Sequence, residues 1–211
     1  MQKVKQFWRE HWAFVFCMAL MFVFRSAVAD WNHVPSGSMQ PTIKEGDRIL
    51  INKLAYDIQL PFTGHSLVRL ADPQRGDVVI FESQAANNRL VKRVVGMPGD
   101  WVEMRDNELR INGQALLYQP GQGADWQENL LGVKHEIRLT QHRSGLSSFE
   151  PLRIPAGFYL VLGDNRNNSA DSRVIGLVPR QEIIGRGEMV VMSFNPDHYY
   201  LPRSDRFFVA L

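Results

Sequence analysis

Three short segments of this 211-residue chain contain side chains that could do chemistry. The first is residues 35–42, Pro-Ser-Gly-Ser-Met-Gln-Pro-Thr, in which Gly37 separates Ser36 from Ser38. Glycine lets the backbone approach another chain closely, and the flanking prolines favour an extended path. This segment could present a serine hydroxyl at a surface. Ser-Gly-Ser is also common in ordinary loops, so the segment alone leaves both interpretations open.

A serine hydroxyl becomes an effective nucleophile only when a base removes its proton. The six histidines are scattered, and the chain has no Gly-x-Ser-x-Gly motif. Lys92 instead lies in the apolar run 90–95, where burial would lower its pKa and favour the neutral amine. Ser38 and Lys92 are therefore a candidate nucleophile and base. The alternative is a lysine that extends its amine to water from the edge of a sheet.

The third segment is residues 163–173, Gly-Asp-Asn-Arg-Asn-Asn-Ser-Ala-Asp-Ser-Arg, directly after another apolar run. Its carboxylates, Asp164 and Asp171, could pair with arginines such as Arg93, and Ser169 could orient a lysine amine. A calcium-like or Asx-turn loop is the alternative interpretation. The spacing lacks the distal glutamate of an EF-hand.

The elements that must position these segments are predicted to be β-strands. Runs of β-branched and aromatic residues occur at 48–51, 77–81, 90–95, 158–162 and 188–192. Turn-forming residues bound these runs, and no long segment beyond the N-terminal region shows helical periodicity. Asn112-Gly113 favours a type I′ hairpin turn, which requires positive φ angles.

The predicted fold is therefore mainly β, with a catalytic domain over residues 31–211. We expect this sheet to be partly closed and barrel-like, because many short strands need their edges covered. Between about residues 105 and 155, glycines lie among Gln, Ser and His and the strand pattern weakens. We interpret this stretch as a small inserted lobe.

Residues 1–30 are expected to form a cytoplasmic tail and a single transmembrane helix. Three basic residues precede an apolar run. A helix over residues 8–28 would match the bilayer core if Arg9 and Arg25 reached opposite interfaces. The early positive charges favour a cytoplasmic N-terminus and an extracytoplasmic catalytic domain. The alternatives are a buried core helix and a signal peptide cleaved after Ala-Val-Ala at 27–29.

The composition argues against several function classes. Lys and Arg total 24 against 22 Asp and Glu, so no extended basic surface for nucleic acid is indicated. Cys17 is the single cysteine, which excludes an intramolecular disulfide and a cysteine cluster for zinc or iron–sulfur. Neither a metal nor a cofactor is predicted.

Together the three segments resemble the bacterial type I signal peptidases, the Ser/Lys proteases of the S26 family that remove signal peptides from exported proteins. The resemblance extends from about residue 24 to the C-terminal region and rests on five motifs in the family's order. They are PSGSMQPT at 35–42, GD at 46–47, RGD at 75–77, VKRVVGMPGD at 91–100 and GDNRNNSADSR at 163–173. One departure is Asn167, where the family commonly has Asp, which removes a carboxylate from that loop.

The resemblance implies a role for each matching residue. Ser38 would be the nucleophile and Lys92 the general base. The Ser36 hydroxyl and the Ser38 backbone N–H would form the oxyanion hole.

The resemblance also implies supporting residues. Ser169 would hold the Lys92 amine, and Asp171 would support the loop that carries Ser169. Asp164 would pair with Arg93 beside the site, in a structural role.

The substrate implied by the resemblance is an extended preprotein segment lying against Val34, Pro35, Leu90 and Val91. Two shallow apolar pockets would take small side chains and give cleavage after Ala-x-Ala. The implied partners are preprotein signal peptides, the phospholipid bilayer of a bacterial inner membrane and, as a candidate, the secretion translocon.

Three alternatives stay open at this point. The chain is small for a Gram-negative member, which is compatible with a specialised peptidase associated with conjugation or pilins. A self-cleaving Ser/Lys regulator would share the chemistry, although such proteins normally carry a DNA-binding module. A membrane-tethered β domain that binds exported chains would use neither Ser38 nor Lys92.

Overall fold

The computed structural model describes residues 2–140 and 145–211, with side chains from residue 11 onward. The helices are α1 (Gln2–Ala27) and α2 (Ser172–Ile175). The strands are β1 (Ala29–His33), β2 (Asp47–Asn52), β3 (Asp57–Gln59), β4 (Ser66–Arg69), β5 (Val78–Ser83), β6 (Asn88–Gly96), β7 (Trp101–Arg105), β8 (Glu108–Ile111), β9 (Gln114–Ala115), β10 (Leu117–Pro120), β11 (Asp125–Leu130), β12 (Val133–Arg138), β13 (Phe149–Arg153), β14 (Phe158–Leu162), β15 (Val178–Pro179), β16 (Ile183–Asn195), β17 (Leu201–Pro202) and β18 (Val209–Ala210).

The main sheet is antiparallel and has the strand order β1-β2-β16-β5-β6-β14-β15, with β17 and β18 also pairing β16. The expectation of a mainly β protein is confirmed. The predicted barrel-like closure is not found, because β1 and β15 remain separate edges among the described strands. These edges are protected in other ways: β1 contacts α1, and β15 is only two residues long.

Four of the five predicted strands lie within observed ones, and the fifth, 77–81, begins one residue before β5. The Asn112-Gly113 turn is confirmed. Asn112 and Gly113 have φ angles of 52° and 80° and join β8 to β9. Asparagine and glycine adopt positive φ at lower cost than other residues, which explains the choice of residues at this turn.

Strands β7 to β13 occupy most of the region predicted as an inserted lobe. They form a three-stranded sheet, β10-β11-β12, and a four-stranded sheet, β13-β7-β8-β9. Their apolar side chains share one core with β6 and β14, in which Val95 of β6 packs with Val102 and Leu160. The small sheets are thus joined to the strands that carry Lys92 and precede residue 163.

The C-terminal end of α1 is attached to the β domain by hydrogen bonds. Lys53 Nζ donates to Ser26 O over 2.9 Å, and the Phe62 N–H donates to Ser26 Oγ over 2.7 Å. Burial lowers the pKa of Lys53 from its ordinary value.

Judged by length and hydropathy together, no helix in the described part of the chain meets the requirements of a membrane crossing.

Candidate active site

Ser38 lies in a single turn of 3-10 helix, Gly37–Met39, that follows the extended stretch after β1. Met39 and Val34 are buried on either side of it and pack in the same apolar cluster. Two hydrogen bonds fix Val34 from behind, since its N–H donates to Asp47 O and its carbonyl accepts from the Gly46 N–H. The apolar anchors therefore leave the partly exposed Ser38 hydroxyl at the surface of the domain.

Lys92 is in the interior of β6 and is 3% exposed. Its Nζ lies 2.8 Å from Ser38 Oγ and 2.9 Å from Val91 O. Burial lowers the pKa of Lys92 to about 8, although Asp171 and Asp164 act in the opposite direction. A lysine with this pKa is neutral in about a tenth of molecules at pH 7 and about half at pH 8, and the neutral amine can accept the proton of a serine hydroxyl.

The loop that follows β14 packs directly against the Ser38 turn. Gly163 is the contact point, because a Cβ atom there would collide with the Ser169 side chain and with Ser38 O. Glycine is therefore required at this position by close approach of two backbones.

Asn165 binds the same turn and was not singled out by the sequence analysis. Its backbone N–H donates to Ser38 O and its side-chain Nδ2 donates to Gly37 O, each over 3.0 Å. The side chain is 7% exposed. The available signal was its place inside the polar turn 163–173, which does not by itself distinguish Asn165 from the other asparagines there.

Arg93 and Asp164 are joined by a two-point ion pair. Arg93 Nε and Nη2 donate to the two carboxylate oxygens over 2.9 and 2.8 Å, and Thr42 Oγ1 donates to Asp164 Oδ2 over 2.6 Å. Burial raises the pKa of Asp164, but the charge and hydrogen bonds of Arg93 bring it below its ordinary value. This pair connects β6 to the loop after β14.

Asp171 supports the start of the same loop. Its Oδ2 accepts the Gly163 N–H over 2.9 Å, and both its oxygens accept from the Arg173 guanidinium. Burial raises the pKa of Asp171, but the guanidinium of Arg173 and the Gly163 N–H bring it below its ordinary value. The carboxylate thus bridges two residues eight positions apart and closes the loop between them.

Ser169 is buried beside this cluster at 6% exposure. Among the described residues its hydroxyl has no hydrogen-bond partner, and the contacts of Lys92 Nζ are those to Ser38 and Val91. The structure therefore places Ser169 beside Gly163, which in turn packs against the Ser38 turn. Ser169 makes no hydrogen bond to the Lys92 amine.

Comparisons with known proteins show the family to which the chain belongs. A family model described as "Signal peptidase, peptidase S26" matches residues 7–192. This chain belongs to the S26 family of signal peptidases. The family consists of serine endopeptidases, as expected from the sequence.

Curated relatives extend the likeness over most of the chain. A signal peptidase I of Pseudomonas fluorescens is 38% identical over 208 residues, covering 89% of this chain and 73% of the relative. A signal peptidase I of Pseudomonas aeruginosa is 37% identical with the same coverage. Among solved structures, a signal peptidase I from Enterococcus faecalis is 30% identical, covers 56% of this chain and 97% of its own, and superposes with a TM-score of 0.38.

In this chain, Ser36 immediately precedes the one-turn helix in an extended conformation, with φ −135° and ψ 154°. Its side chain makes no capping hydrogen bond to that helix, and the residue is exposed. The Ser36 hydroxyl is therefore adjacent to the Ser38 turn and is not used as a helix cap.

Strand β6 has one unpaired edge close to Ser38. Residues 88–93 pair with β5, but β14 pairs with β6 only from Arg93 to Gly96. Leu90 and Val91 are half-buried on this stretch, while Val34 is buried and Pro35 exposed on the approach to Ser38. Among the described strands, residues 88–92 of β6 thus have a strand on one side only, which leaves an edge for an additional strand.

The departure at position 167 has a local explanation. Asn167 Oδ1 accepts the Thr140 N–H over 3.0 Å, a bond that either an amide or a carboxylate oxygen could accept. Replacement of the family's usual Asp therefore retains this contact.

A buried ionic cluster beyond the site was missed by the sequence analysis. Arg166 forms a two-point pair with Glu128 of β11, at 2.9 and 2.5 Å, and His135 Nε2 of β12 lies 3.2 Å from Glu128. Burial raises the pKa of Glu128, but Arg166 and His135 lower it below its ordinary value. The cluster joins the three-stranded sheet to the loop carrying Asn165.

Within residues 2–140 and 145–211, no three His, Cys, Asp or Glu side chains are grouped as a metal site would need.

Proposed function

We propose that this chain is a signal peptidase I that cleaves preproteins after their signal peptides, with Ser38 as the nucleophile and Lys92 as the general base. The observation that carries the proposal is the 2.8 Å separation of Lys92 Nζ from Ser38 Oγ. The two residues are 54 positions apart in the chain, and the lysine has its pKa lowered to about 8 by burial. A structural lysine at a sheet edge would extend its amine to water instead.

The acylation step transfers one proton through Lys92. The neutral amine takes the Ser38 hydroxyl proton as Oγ attacks the scissile carbonyl carbon, and the resulting ammonium then protonates the leaving amine. The C–N bond breaks and an acyl-Ser38 ester remains. The released product carries the new N-terminus.

The deacylation step restores the serine. Lys92, neutral again, takes a proton from a water molecule that attacks the ester carbonyl. The ammonium returns this proton to Ser38 Oγ as the ester C–O bond breaks, which releases the signal peptide with a free carboxylate. The chemistry uses residues already present in this chain.

The Ser36 hydroxyl and the Ser38 N–H are our proposed oxyanion donors. The support is that Ser36 is extended, exposed and not committed to capping the following turn. Two donors aimed at the developing oxyanion typically contribute about 2.7–4 kcal/mol each to transition-state stabilisation.

The proposed substrate path is the free edge of β6 at Leu90 and Val91, opposite the segment Val34 and Pro35. An extended peptide added there would gain main-chain hydrogen bonds along the strand, and its alternate side chains would face the domain. The half-buried apolar surface of Val91 beside Lys92 favours small apolar side chains on the acyl side. We therefore retain cleavage after Ala-x-Ala as the proposed preference.

The proposal includes attachment to the bacterial inner membrane through α1, with the β domain on the extracytoplasmic side. In support, Trp12, Phe14 and Phe16 are each at least 60% exposed on α1, which is unusual for a helix facing water alone. A single-pass topology and contact with the secretion translocon belong to the same proposal.

The decisive experiment compares cleavage of a secretory preprotein by wild type, Ser38→Ala and Lys92→Arg in detergent, with the new N-terminus read by mass spectrometry. Arginine keeps the positive charge but cannot act as a base near neutral pH. Lys134→Arg on the exposed part of β12 is the matched control. We expect cleavage by wild type and the control alone.

Other outcomes would change the proposal. Equal cleavage by Lys92→Arg would remove Lys92 as the base. Activity of wild type on a pilin-type or conjugation precursor, but on no general secretory preprotein, would favour a specialised peptidase. Absence of cleavage of any precursor by wild type, with precursor binding retained by Ser38→Ala, would favour a binding protein.

A further inference from the structure

The nucleophile turn is held from behind by one residue of the loop after β14. Asn165 donates its backbone N–H to Ser38 O and its side-chain Nδ2 to Gly37 O, each over 3.0 Å. These are consecutive carbonyls of the turn that presents Ser38 Oγ. Two donors from one residue therefore fix the peptide planes on both sides of the nucleophile's Cα atom.

The loop that carries Asn165 is itself firmly held. The Arg138 N–H donates to Asp164 O, and the Arg166 N–H donates to Arg138 O, so residues 164–166 are bonded to the end of β12 on both sides of Asn165. The ion pairs of Arg93 with Asp164 and of Arg166 with Glu128 add charged contacts to different elements. The hydrogen bonds of Asn165 consequently fix the Ser38 turn relative to a firmly held loop.

The base is positioned independently of that turn. Lys92 belongs to the paired interior of β6, and its amine also lies 2.9 Å from Val91 O of the same strand. The Ser38 turn is only three residues long and sits outside the sheet. The Ser38–Lys92 distance therefore depends on whatever fixes the turn, and Asn165 supplies its two hydrogen bonds from the loop.

The choice of an amide at position 165 fits this task. The Nδ2 donor reaches Gly37 O, whereas the Asn165 Oδ1 acceptor is buried without a partner among the described residues. An unpaired buried acceptor is unfavourable, so the side chain is not optimised for stability alone. An aspartate of the same shape would place an acceptor against the Gly37 carbonyl instead of a donor.

We propose that Asn165 is a positioning residue for the nucleophile, which holds the Gly37–Ser38 peptides so that Ser38 Oγ stays within hydrogen-bond distance of Lys92 Nζ. This inference rests on the proposed roles of Ser38 and Lys92. It makes Asn165 act through Ser38, without contact to the substrate.

The test uses two substitutions at position 165 and matched controls at Asn168, an exposed residue three positions along the same loop. Asn165→Asp retains the side chain's shape and loses the donor, and Asn165→Leu removes the donor without adding charge. Asn168→Asp and Asn168→Leu make the same chemical changes outside the contact. Ser38→Ala is included to test the proposed nucleophile separately.

For both Asn165 variants we expect kcat to fall about tenfold or more with KM within about twofold, because binding at the β6 edge is unaffected. The loss should persist in Asn165→Leu above the pKa of Lys92, where the base is neutral, since the defect is one of geometry. In Asn165→Leu the thermal midpoint should stay within about 4 °C of wild type, the shift expected for roughly 1 kcal/mol in a chain of this size. Asn165→Asp should fall further, because it buries a carboxylate without a countercharge. The Asn168 variants should keep wild-type kcat.

Wild-type kcat in Asn165→Leu would overturn the inference while leaving the proposed function intact if Ser38→Ala is inactive. The inference is also overturned if both Asn165 variants lose activity only in proportion to the fraction of unfolded protein, measured by circular dichroism in the assay buffer. Full activity of Ser38→Ala would instead overturn the proposed function itself.

Discussion

Arg93 and Asp164 form a two-point ion pair whose side chains are only 4% and 1% exposed. Arg93 is next to Lys92 on β6, and Asp164 is next to Asn165 in the loop that holds the Ser38 turn. The pair therefore fixes the distance between the strand that carries the proposed base and the loop that supports the proposed nucleophile. Arg93 Nη1 also donates to Gly76 O, so the guanidinium is satisfied on two sides.

Breaking this pair on one side should destabilise the fold strongly. In Asp164→Asn, Arg93 would remain buried without a countercharge, which typically costs about 3–5 kcal/mol. The exposed pair of Arg89 with Glu82 provides the control, since Glu82→Gln should cost about 1 kcal/mol or less. Urea unfolding followed by circular dichroism measures both. A difference of less than about 1 kcal/mol between the two variants would contradict the importance of the buried pair.

The activity of the enzyme should depend on the titration of Lys92. Its pKa is lowered to about 8 by burial, and in the proposed mechanism the neutral amine is the active form. Below this pKa, kcat/KM should rise about tenfold per pH unit, and it should level off above about pH 9. The measurement is initial cleavage rates from pH 6 to 10 in buffers of constant ionic strength. A rate independent of pH between 6 and 8 would exclude Lys92 as the base.

The candidate site residues were identified from the sequence because they lie in short contiguous motifs. Ser38 stands between two prolines, and Lys92 is the one lysine in an apolar strand pattern. The strand positions followed from β-branched runs bounded by turn residues. Local sequence is sufficient for such features, since they depend on near neighbours in the chain.

Other features depend on contacts between distant segments and were not predictable. The pair of Arg166 with Glu128 joins residues 38 positions apart, and nothing in either local sequence identifies the partner. Asn165 differs from Asn167 and Asn168 only in what lies beside it in space. The open main sheet was likewise missed, because short strands indicate covered edges without showing whether closure or an adjoining helix covers them.

Gly163 should tolerate no larger residue. In Gly163→Ala the new methyl group would collide with Ser38 O and the Ser169 side chain, and neither backbone can retreat without moving the site. We expect kcat to fall about tenfold or more and stability to fall by about 1–3 kcal/mol. Gly145→Ala is the matched control, because a Cβ at that position meets no atom of the described residues within 4 Å. Assays of cleavage and thermal unfolding on both variants test this, and an active Gly163→Ala enzyme would refute the close-packing argument.

The sequence Ala27-Val28-Ala29 matches the proposed substrate preference, and the enzyme could therefore be its own substrate before Asp30. The structure argues that this bond resists cleavage. Ala27 ends α1, Val28 O accepts the Lys53 N–H over 3.0 Å, and Ala29 pairs with Asn52 of β2. A substrate must be extended and free to pair with β6, whereas this segment is already bonded to its own domain.

We therefore expect the folded protein to resist cleavage between Ala29 and Asp30 by a second molecule of the enzyme. Inactive Ser38→Ala protein is incubated in detergent with a small amount of wild-type enzyme. It should keep its full mass while a secretory preprotein in the same tube is cut. Unfolding the target first removes the pairing with Asn52 and Lys53, so the denatured Ser38→Ala chain should be cleaved between Ala29 and Asp30 after dilution into the assay. Mass spectrometry distinguishes the two states of the target. Rapid cleavage of the folded target at this bond would show that the observed pairing gives no protection.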